Sequence, residues 1–266
     1  MPSLAGVMIF VLIPYLDMVI RSFRNSILGT FCGIQNYRAI FSSQAFLLAI
    51  KNTIRFVATG IPLLIVLSLL LSLMLNRSKN ANLLKTAFLF PMAVPTAAVI
   101  MIWKLFFYEN GLLNMAFMKI GFHAVDWLGS DFSFWVLIFS YLWKNIGYTI
   151  VLWMAGMKNI SVRILEAAKV DGASGWNCFR YVMLPELRPV FYTIALLSFL
   201  NSFKVFREAY LVAGAYPQEK MYLLQHLFNN WFINLEIDQM SAAAVCISAV
   251  LAVVVLMLQK AGDGGK

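Results

Sequence analysis

The chain has 266 residues, of which 61% are hydrophobic and only 12% are charged. A soluble domain would carry about 25% charged residues, so the composition predicts an integral membrane protein and argues against a soluble one. The net charge of +9 does not require a nucleic-acid partner, because the Lys and Arg residues fall in short loops between apolar segments, where they would meet anionic lipid and fix the topology.

A membrane-spanning helix needs about 20 mostly apolar residues, and six segments of the sequence meet this requirement. In chain order they are Leu4–Ile20, Thr53–Leu75, Thr86–Phe107, Phe132–Met157, Val190–Val212 and Ala242–Leu258. The first could instead be a signal peptide, but no basic region precedes it and no small-residue cleavage site follows it. The pattern predicts an all-α, polytopic membrane protein with a single transmembrane domain over residues 1–266.

The charges of the connecting loops predict which way the spans run. Three segments are rich in basic residues: the loop Asn76–Lys85 with Arg77 and Lys79, the connection Asn159–Pro189 with Arg163, Lys169, Arg180 and Arg188, and the tail with Lys260 and Lys266. By the positive-inside rule these segments face the cytoplasm, which places both termini there. Four basic residues of the first outer loop do not fit this orientation: Arg21, Arg24, Arg38 and Lys51.

Two longer loops, 108–131 and 213–240, would lie on the outer side. Their aromatic residues suit either a docking surface or, more commonly, a belt at the membrane interface. These residues are Phe122, Trp127, Tyr222 and Trp231. Each loop also holds a single histidine, His123 or His226, and neither is expected to be a metal ligand or a base.

The connection between the fourth and fifth spans carries signals for two short helices. Ser161 can cap a helix over Val162–Asp171, and Gly172 can take the left-handed conformation that ends it. Ser174 can cap a second helix. An apolar stripe on this second helix is formed by Trp176, Phe179 and Met183. Two prolines, Pro185 and Pro189, are expected to stop the helix and redirect the chain into the fifth span.

The first of these helices presents small residues on one side. Ala167 and Ala168 lie there with Ile164 and Asp171 at helical spacing, so that another surface could approach closely. Glu166 is the single early acid of the helix, and a partner that covered it would desolvate it. From the residues alone, an ordinary amphipathic loop at the membrane interface is an equally good interpretation.

The spacing within this hairpin resembles the EAA loop of the permease subunits of binding-protein-dependent ABC importers. The matching residues are Glu166, Ala167, Ala168, Gly172, Leu184 and Pro185, with Val182 where the family usually has Ile. Similarity to the carbohydrate-uptake branch, the maltose and glycerol-phosphate type, extends over nearly the whole chain. The segments that carry it are GIQNYRAIF (33–41), LFPMAVPTAAVIMIWKLFF (89–107), GLLN (111–114), WKNIGY (143–148) and SFKVFREAYLV (202–212).

The resemblance implies that the hairpin is a coupling helix that docks in a groove of a cytoplasmic ATPase, with Glu166 pairing with a basic ATPase residue. The residues implied in coupling are Glu166, Ala167, Ala168, Asp171, Gly172, Leu184 and Pro185. It also implies an assembly in the cell membrane that comprises a second homologous permease, two ATPase subunits that bind ATP and Mg, an extracytoplasmic binding protein and a carbohydrate substrate. No cofactor is expected in the chain itself.

Polar residues inside spans are candidates for a substrate pathway, because they are costly in lipid. By resemblance to the maltose-type permease, the substrate pocket maps to Trp143, Asn145, Tyr148, Asn201 and Ser202. Aromatic faces beside amides and hydroxyls suit the C–H faces and hydroxyl groups of a sugar. The alternative is that these groups bond neighbouring helices or contact the second permease.

The sequence contains no G-x-x-x-x-G-K-[ST] phosphate loop, no H-E-x-x-H motif and no nucleophile elbow. The energy source is therefore expected in another chain, with no catalytic residue in this one. Its three cysteines show neither metal spacing nor a disulfide framework. The alternative function is a secondary transporter or channel driven by an ion gradient, which would need internal repeats and intramembrane ion ligands. The only acids near spans are Asp17 and Glu208.

Overall fold

The computed structural model describes residues 2–25, 28–76, 78–79 and 81–263. Within these residues the regular secondary structure is helical, apart from an isolated β-bridge between Arg24 and Phe31. The predicted all-α class is confirmed. Arg77 and Lys266, on which the loop-charge argument partly rests, lie outside the described residues.

Fifteen α-helices are found in the described part of the chain. They are α1 (Pro2–Val7), α2 (Ile13–Ser22), α3 (Gln35–Ser42), α4 (Gln44–Asn76), α5 (Ala81–Ala93), α6 (Thr96–Phe107), α7 (Leu112–Lys119), α8 (Ser133–Asn159), α9 (Val162–Val170), α10 (Gly175–Cys178), α11 (Leu184–Glu186), α12 (Arg188–Ser202), α13 (Phe206–Ala213), α14 (Leu224–Ile233) and α15 (Ile237–Asp263). Short π-helical turns join α1 to α2 and α10 to α11, and a 3₁₀ turn joins α12 to α13.

Five helical segments of the described chain are long and apolar enough to cross a membrane. They are Ser3–Ser22, Gln44–Asn76, Ser133–Asn159, Arg188–Ala213 and Ile237–Gly262. Five of the six predicted spans correspond to these helices. At 1.5 Å per residue the 33 residues of α4 extend about 50 Å, so one end of this helix projects beyond the hydrocarbon layer.

The remaining predicted span, Thr86–Phe107, is not one continuous helix. The chain bends by 95° between α5 and the helical segment that begins at Thr96. Pro95 stands at the break with an extended backbone (ψ 140°), because its ring and its missing N–H cannot continue the helix before it. Pro91, by contrast, is accommodated inside α5. The predicted span is therefore interrupted at the second of its two prolines, and the two helices amount to a sixth span only when the bent pair is counted as one.

α8 is the centre of the bundle and packs against α4, α5 and α12. The approach of α5 is so close that a Cβ atom at Gly147 would lie 1.9 Å from the backbone oxygen of Phe88. On its other side α8 contacts α4, where the rings of Phe56 and Tyr141 meet edge to face at 5.3 Å. Trp153 also donates a hydrogen bond to Ser68 across this interface, with a donor–acceptor distance of 3.1 Å.

The two long loops and the hairpin lie at opposite ends of the bundle. At one end Lys220 pairs with Asp131, which ties the loops 108–131 and 213–240 together. Tyr222 and Trp231 are only 8% and 5% exposed there, in a core with Phe46. The idea that these two aromatics form an outer docking surface or belt was therefore wrong, because they pack inward against the start of α4. The hairpin of α9 to α11 lies at the opposite end.

Candidate functional site

The connection between α8 and α12 folds into the predicted hairpin. α9 covers Val162–Val170, within one residue of the prediction, and Gly172 follows with φ +79°. Ser174 accepts a hydrogen bond from the backbone N–H of Asn177 at 3.3 Å and so caps α10 as expected. Ser161 occupies the N-cap position of α9, but its side chain makes no capping hydrogen bond.

The second leg of the hairpin does not end at its prolines. α10 runs through the π-helical turn Phe179–Met183 into α11, and the chain turns at Leu187. Pro185 and Pro189 each stand in the first turn of a helical segment, where the missing N–H needs no partner. The second leg nevertheless ends between the two prolines, at Glu186, one residue beyond Pro185, and the chain continues into α12 from there.

The hairpin has an anchored face and a free face. Leu165, Met183 and Leu187 pack against the end of α8 in one apolar cluster, which fixes the hairpin to the bundle. The opposite face is open, and Val170 is 87% exposed. Such an apolar surface beside the membrane is typical of a contact with another protein.

The residues proposed for coupling all lie in this hairpin. Glu166, Ala167, Asp171 and Gly172 are exposed on the first leg or its end, and Ala168 is half-buried. In the described part of the chain no cation pairs with Glu166. Leu184 and Pro185 lie on the second leg, where they line a groove against α4. Their roles in coupling stay predictions.

A cavity of about 500 Å³ opens between α8 and the junction of α12 with α13. Asn145 and Asn201 both line it, so the structure brings together two of the five proposed pathway residues. Thr96 and Met92, at the break between α5 and α6, line its other side. The non-helical backbone at this break therefore lies beside the cavity. In a membrane protein such backbone is tolerated where it lines a cavity, because its polar groups are not exposed to lipid there.

Four charged side chains line this cavity, and the described ion pairs include Lys144 and Glu208 but neither Lys204 nor Arg207. Lys144 pairs with Glu208, and the ammonium of Lys204 donates to the side-chain oxygen of Asn201 at 2.8 Å. Asn145 donates to the backbone oxygen of Tyr141, also at 2.8 Å. The five-residue pocket mapped from the resemblance did not include Lys144 or Glu208, although Lys144 is one of the polar residues inside the fourth predicted span. Their opposite charges within two predicted spans were the signal that could have identified the pair.

The other three proposed pathway residues lie elsewhere. The ring of Trp143 contacts that of Trp103 at 5.1 Å and lines a separate aromatic groove. Ser202 is buried and donates to the backbone oxygen of Phe199 at 2.6 Å. Tyr148 is half-buried and does not line the cavity. For Trp143 and Ser202 the contacts match the alternative of bonding and packing with neighbouring groups.

No group of His, Cys, Asp and Glu that could hold a metal ion occurs among the described residues. His226 is fully buried, and its Nδ1 accepts the backbone N–H of Leu223 at 3.2 Å. Burial lowers the pKa of this imidazole to about 4. A neutral histidine that closes a helix N-terminus is a structural group.

Comparisons with known proteins agree with this architecture. The family model described as the binding-protein-dependent transport system inner membrane component matches residues 64–263. The trehalose/maltose transport system permease protein of Thermococcus litoralis is 30% identical over 82% of this chain and 76% of its own length. The arabinooligosaccharides transport system permease protein of Bacillus subtilis is 29% identical over 79% of this chain and 69% of its own.

The fold also occurs among solved structures. A bacterial alginate ABC transporter, crystallised in complex with an alginate pentasaccharide-bound periplasmic protein, contains a chain that superposes with a TM-score of 0.85. The match covers 97% of this chain and 90% of that one at 22% identity.

Proposed function

The chain belongs to the binding-protein-dependent transport system inner membrane component family, and on this premise we propose that it is the permease subunit of an ABC importer for a carbohydrate. The chain is a multi-pass membrane protein and a component of a transporter. The observation that carries the proposal is the hairpin, which is anchored on the end of α8 and continuous with both α8 and α12. Those two helices also line the cavity.

The coupling step follows from this continuity. A partner that moves the hairpin must also displace the end of α8, because Leu165 and Leu187 pack against it. One of the two ATPase subunits, which bind ATP and Mg, would dock on the free face of this hairpin. Their closure would shift the permease between inward-open and outward-open states by binding one state better than the other. The loops at the opposite end would receive the binding protein, with both termini in the cytoplasm.

A carbohydrate substrate is supported by the names of the relatives and by the cavity. Those relatives are permeases for trehalose/maltose and for arabinooligosaccharides. The amides of Asn145 and Asn201 offer both donors and acceptors, which match the hydroxyl groups of a sugar. In the assembly a second, homologous permease would close the open side of the cavity.

The ion-gradient alternative has no comparable support. The buried carboxylate of Glu208 is neutralised by Lys144 and is not free to bind a cation. Family membership points to transport that depends on a binding protein.

Transport by the reconstituted complex tests the proposal. Proteoliposomes that contain both permeases and the ATPase subunits are supplied with the binding protein and radiolabelled maltose, trehalose or arabinooligosaccharides. We expect uptake of at least one of these sugars that requires ATP and persists when ionophores collapse all ion gradients. Uptake that continues without ATP and stops with the ionophores would overturn the ABC assignment. ATP-dependent uptake restricted to compounds other than saccharides would overturn the substrate class alone.

A further inference from the structure

A second large cavity lies away from the substrate cavity and from the free face of the hairpin. It is a groove of about 880 Å³ between α4, the second leg of the hairpin, the start of α12 and the end of α15. Its base is apolar and includes Ile65, Leu69 and Trp153. The substrate cavity shares no lining residue with this groove, whereas Leu184 and Pro185 of the proposed coupling set line it from the second leg.

The groove extends from the membrane surface into the hydrocarbon layer. Val66 and Leu70 line its deep part, ten and six residues before α4 ends at Asn76, which places them about 9–15 Å inside the helix end. Its other end is formed where the span Arg188–Ala213 begins. Trp176 stands beside that end and is 64% exposed, as is typical of tryptophan at the headgroup level.

Two arginines mark the surface end of the groove. Arg180 and Arg188 both line it and are exposed. The described ion pairs of the chain do not include either guanidinium, and Arg180 instead lies over the ring of Tyr181 at 5.8 Å. Glu186, the acid nearest to them in sequence, does not line the groove. One end of an apolar groove thus carries two positive charges without carboxylate partners.

We infer that this groove binds one anionic phospholipid from the leaflet on the hairpin side. The phosphate group would lie between Arg180 and Arg188, since guanidinium groups bind phosphate through paired, charge-assisted hydrogen bonds. An acyl chain would run along Val66 and Leu70. The bound lipid fills the space between the hairpin and α4, and it therefore supports the position of the second leg. This inference needs the membrane-spanning fold and the hairpin, but not the identity of the transported substrate.

Lipid binding to the purified complex tests the inference. Delipidated complex is titrated with phosphatidylglycerol or with phosphatidylcholine of the same acyl chains, and bound lipid is counted by native mass spectrometry. We expect phosphatidylglycerol to bind more tightly. In the double variant Arg180→Gln, Arg188→Gln the ratio of the affinities for phosphatidylglycerol and phosphatidylcholine should fall about tenfold or more. The reason is that each surface cation contributes about 1 kcal/mol to binding an anionic lipid. The matched control is Lys158→Gln, Arg163→Gln, which removes two exposed cations at the same end but outside the groove.

A second variant tests the deep part of the groove without changing its charge. Val66→Trp and Leu70→Trp fill the space along α4 and should weaken the binding of both lipids, while both arginines remain. Equal affinity of the unaltered complex for the two lipids would overturn the inference. So would an unchanged preference in the arginine variant, or equal loss in the control. Full displacement of the lipid by inorganic phosphate would show a phosphate site and would also contradict it. None of these outcomes bears on ATP-dependent uptake.

Discussion

Lys144 on α8 and Glu208 on α13 form an ion pair beside the cavity, and only 6% of the Glu208 side chain is exposed. Removing one partner of a buried pair leaves a charge without compensation, whereas removing both can be nearly neutral. The pair joins α13, at the end of the span Arg188–Ala213, to the central helix α8, so its state bears on the shape of the cavity.

The substitution Glu208→Gln should therefore lower the free energy of unfolding by about 3 kcal/mol. The double substitution Lys144→Met, Glu208→Met should recover most of this loss. The measurement is SDS-induced unfolding of the purified chain in mixed micelles. A double variant that is no more stable than Glu208→Gln would show that the uncompensated charge of Lys144 is not the cause of the loss.

Gly147 permits the contact between α8 and α5. A Cβ atom there would meet the backbone oxygen of Phe88 at 1.9 Å, and backbone cannot move aside as a flexible side chain can. Gly147→Ala should destabilise the protein by about 3 kcal/mol, near the upper end of ordinary overpacking. Gly6→Ala is the matched control, because an added Cβ at that helical position has no neighbour within 4 Å. Equal unfolding midpoints for the two variants would show that α5 and α8 can separate freely.

Local signals in the sequence predicted much of this fold. Length and hydropathy identify α8 and α15 because a span is a run of apolar residues. Gly172 and Ser174 identify the hairpin turn because left-handed backbone and N-caps favour particular residue types. The sequence shows Pro91 and Pro95 in the third predicted span, but not that Pro91 stays inside α5 while the helix breaks at Pro95, because a proline can either be accommodated in a helix or interrupt it.

The cavity was harder to predict because it depends on helix rotation. Trp143 and Lys144 are neighbours in sequence, yet successive residues on a helix point about 100° apart. Trp143 therefore packs against Trp103 while Lys144 reaches the cavity. Asn201 and Ser202 are separated in the same way. Packing with α4, α5 and α15 determines which face of α8 or α12 lines the cavity. Local sequence patterns do not predict this rotation.

His226 should make stability depend on pH. Its pKa is about 4 in the folded protein and about 6.5 when exposed, so the unfolded chain binds the proton more tightly. The contribution of His226 to the free energy of unfolding is therefore constant above about pH 7 and is lost as pH falls from 6.5 towards 4. At pH 4.5 the loss should reach about 2.5 kcal/mol of unfolding free energy.

The variant His226→Gln isolates this effect. Glutamine can accept the same backbone N–H, as it does in a capping box, but does not titrate. The difference in unfolding free energy between pH 7.5 and 4.5 should shrink by about 2.5 kcal/mol in this variant. His123→Gln, at an exposed loop histidine, should leave the pH dependence unchanged. Identical pH profiles for His226→Gln and the unaltered protein would mean that water reaches the imidazole.

Asn145→Ala and Asn201→Ala should each reduce ATP-dependent sugar uptake about tenfold, because each removes a side chain in the cavity lining that can bond a sugar hydroxyl. Assembly with the partner subunits should persist. Ser202→Ala is the control, since this neighbouring hydroxyl bonds within its own helix and does not line the cavity. Uptake at the normal rate in both asparagine variants would exclude this cavity from the substrate pathway.

The last prediction concerns the hairpin, where charge and geometry can be separated. Glu166→Lys reverses the charge of an exposed carboxylate on the first leg. If a basic ATPase residue faces it, the like-charge contact costs several kcal/mol and the ATPase should dissociate or couple poorly. Glu186→Lys makes the same change at an exposed acid on the second leg and should have little effect. The readouts are pull-down of the ATPase and ATP hydrolysis stimulated by the loaded binding protein.

Gly172→Val tests the geometry of the same hairpin without altering its charge. The glycine has φ +79° and no atom near its missing Cβ, so the cost is that of left-handed backbone, about 1–2 kcal/mol. Gly175→Val adds the same side chain three residues later, in open space and without a positive φ. We expect Gly172→Val to retain part of its ATPase binding but to lose stimulation, because a misdirected hairpin transmits displacement poorly. The binding protein should still dock in every variant, since it binds at the other end. Normal stimulation in both Glu166→Lys and Gly172→Val would show that the hairpin is not the coupling element.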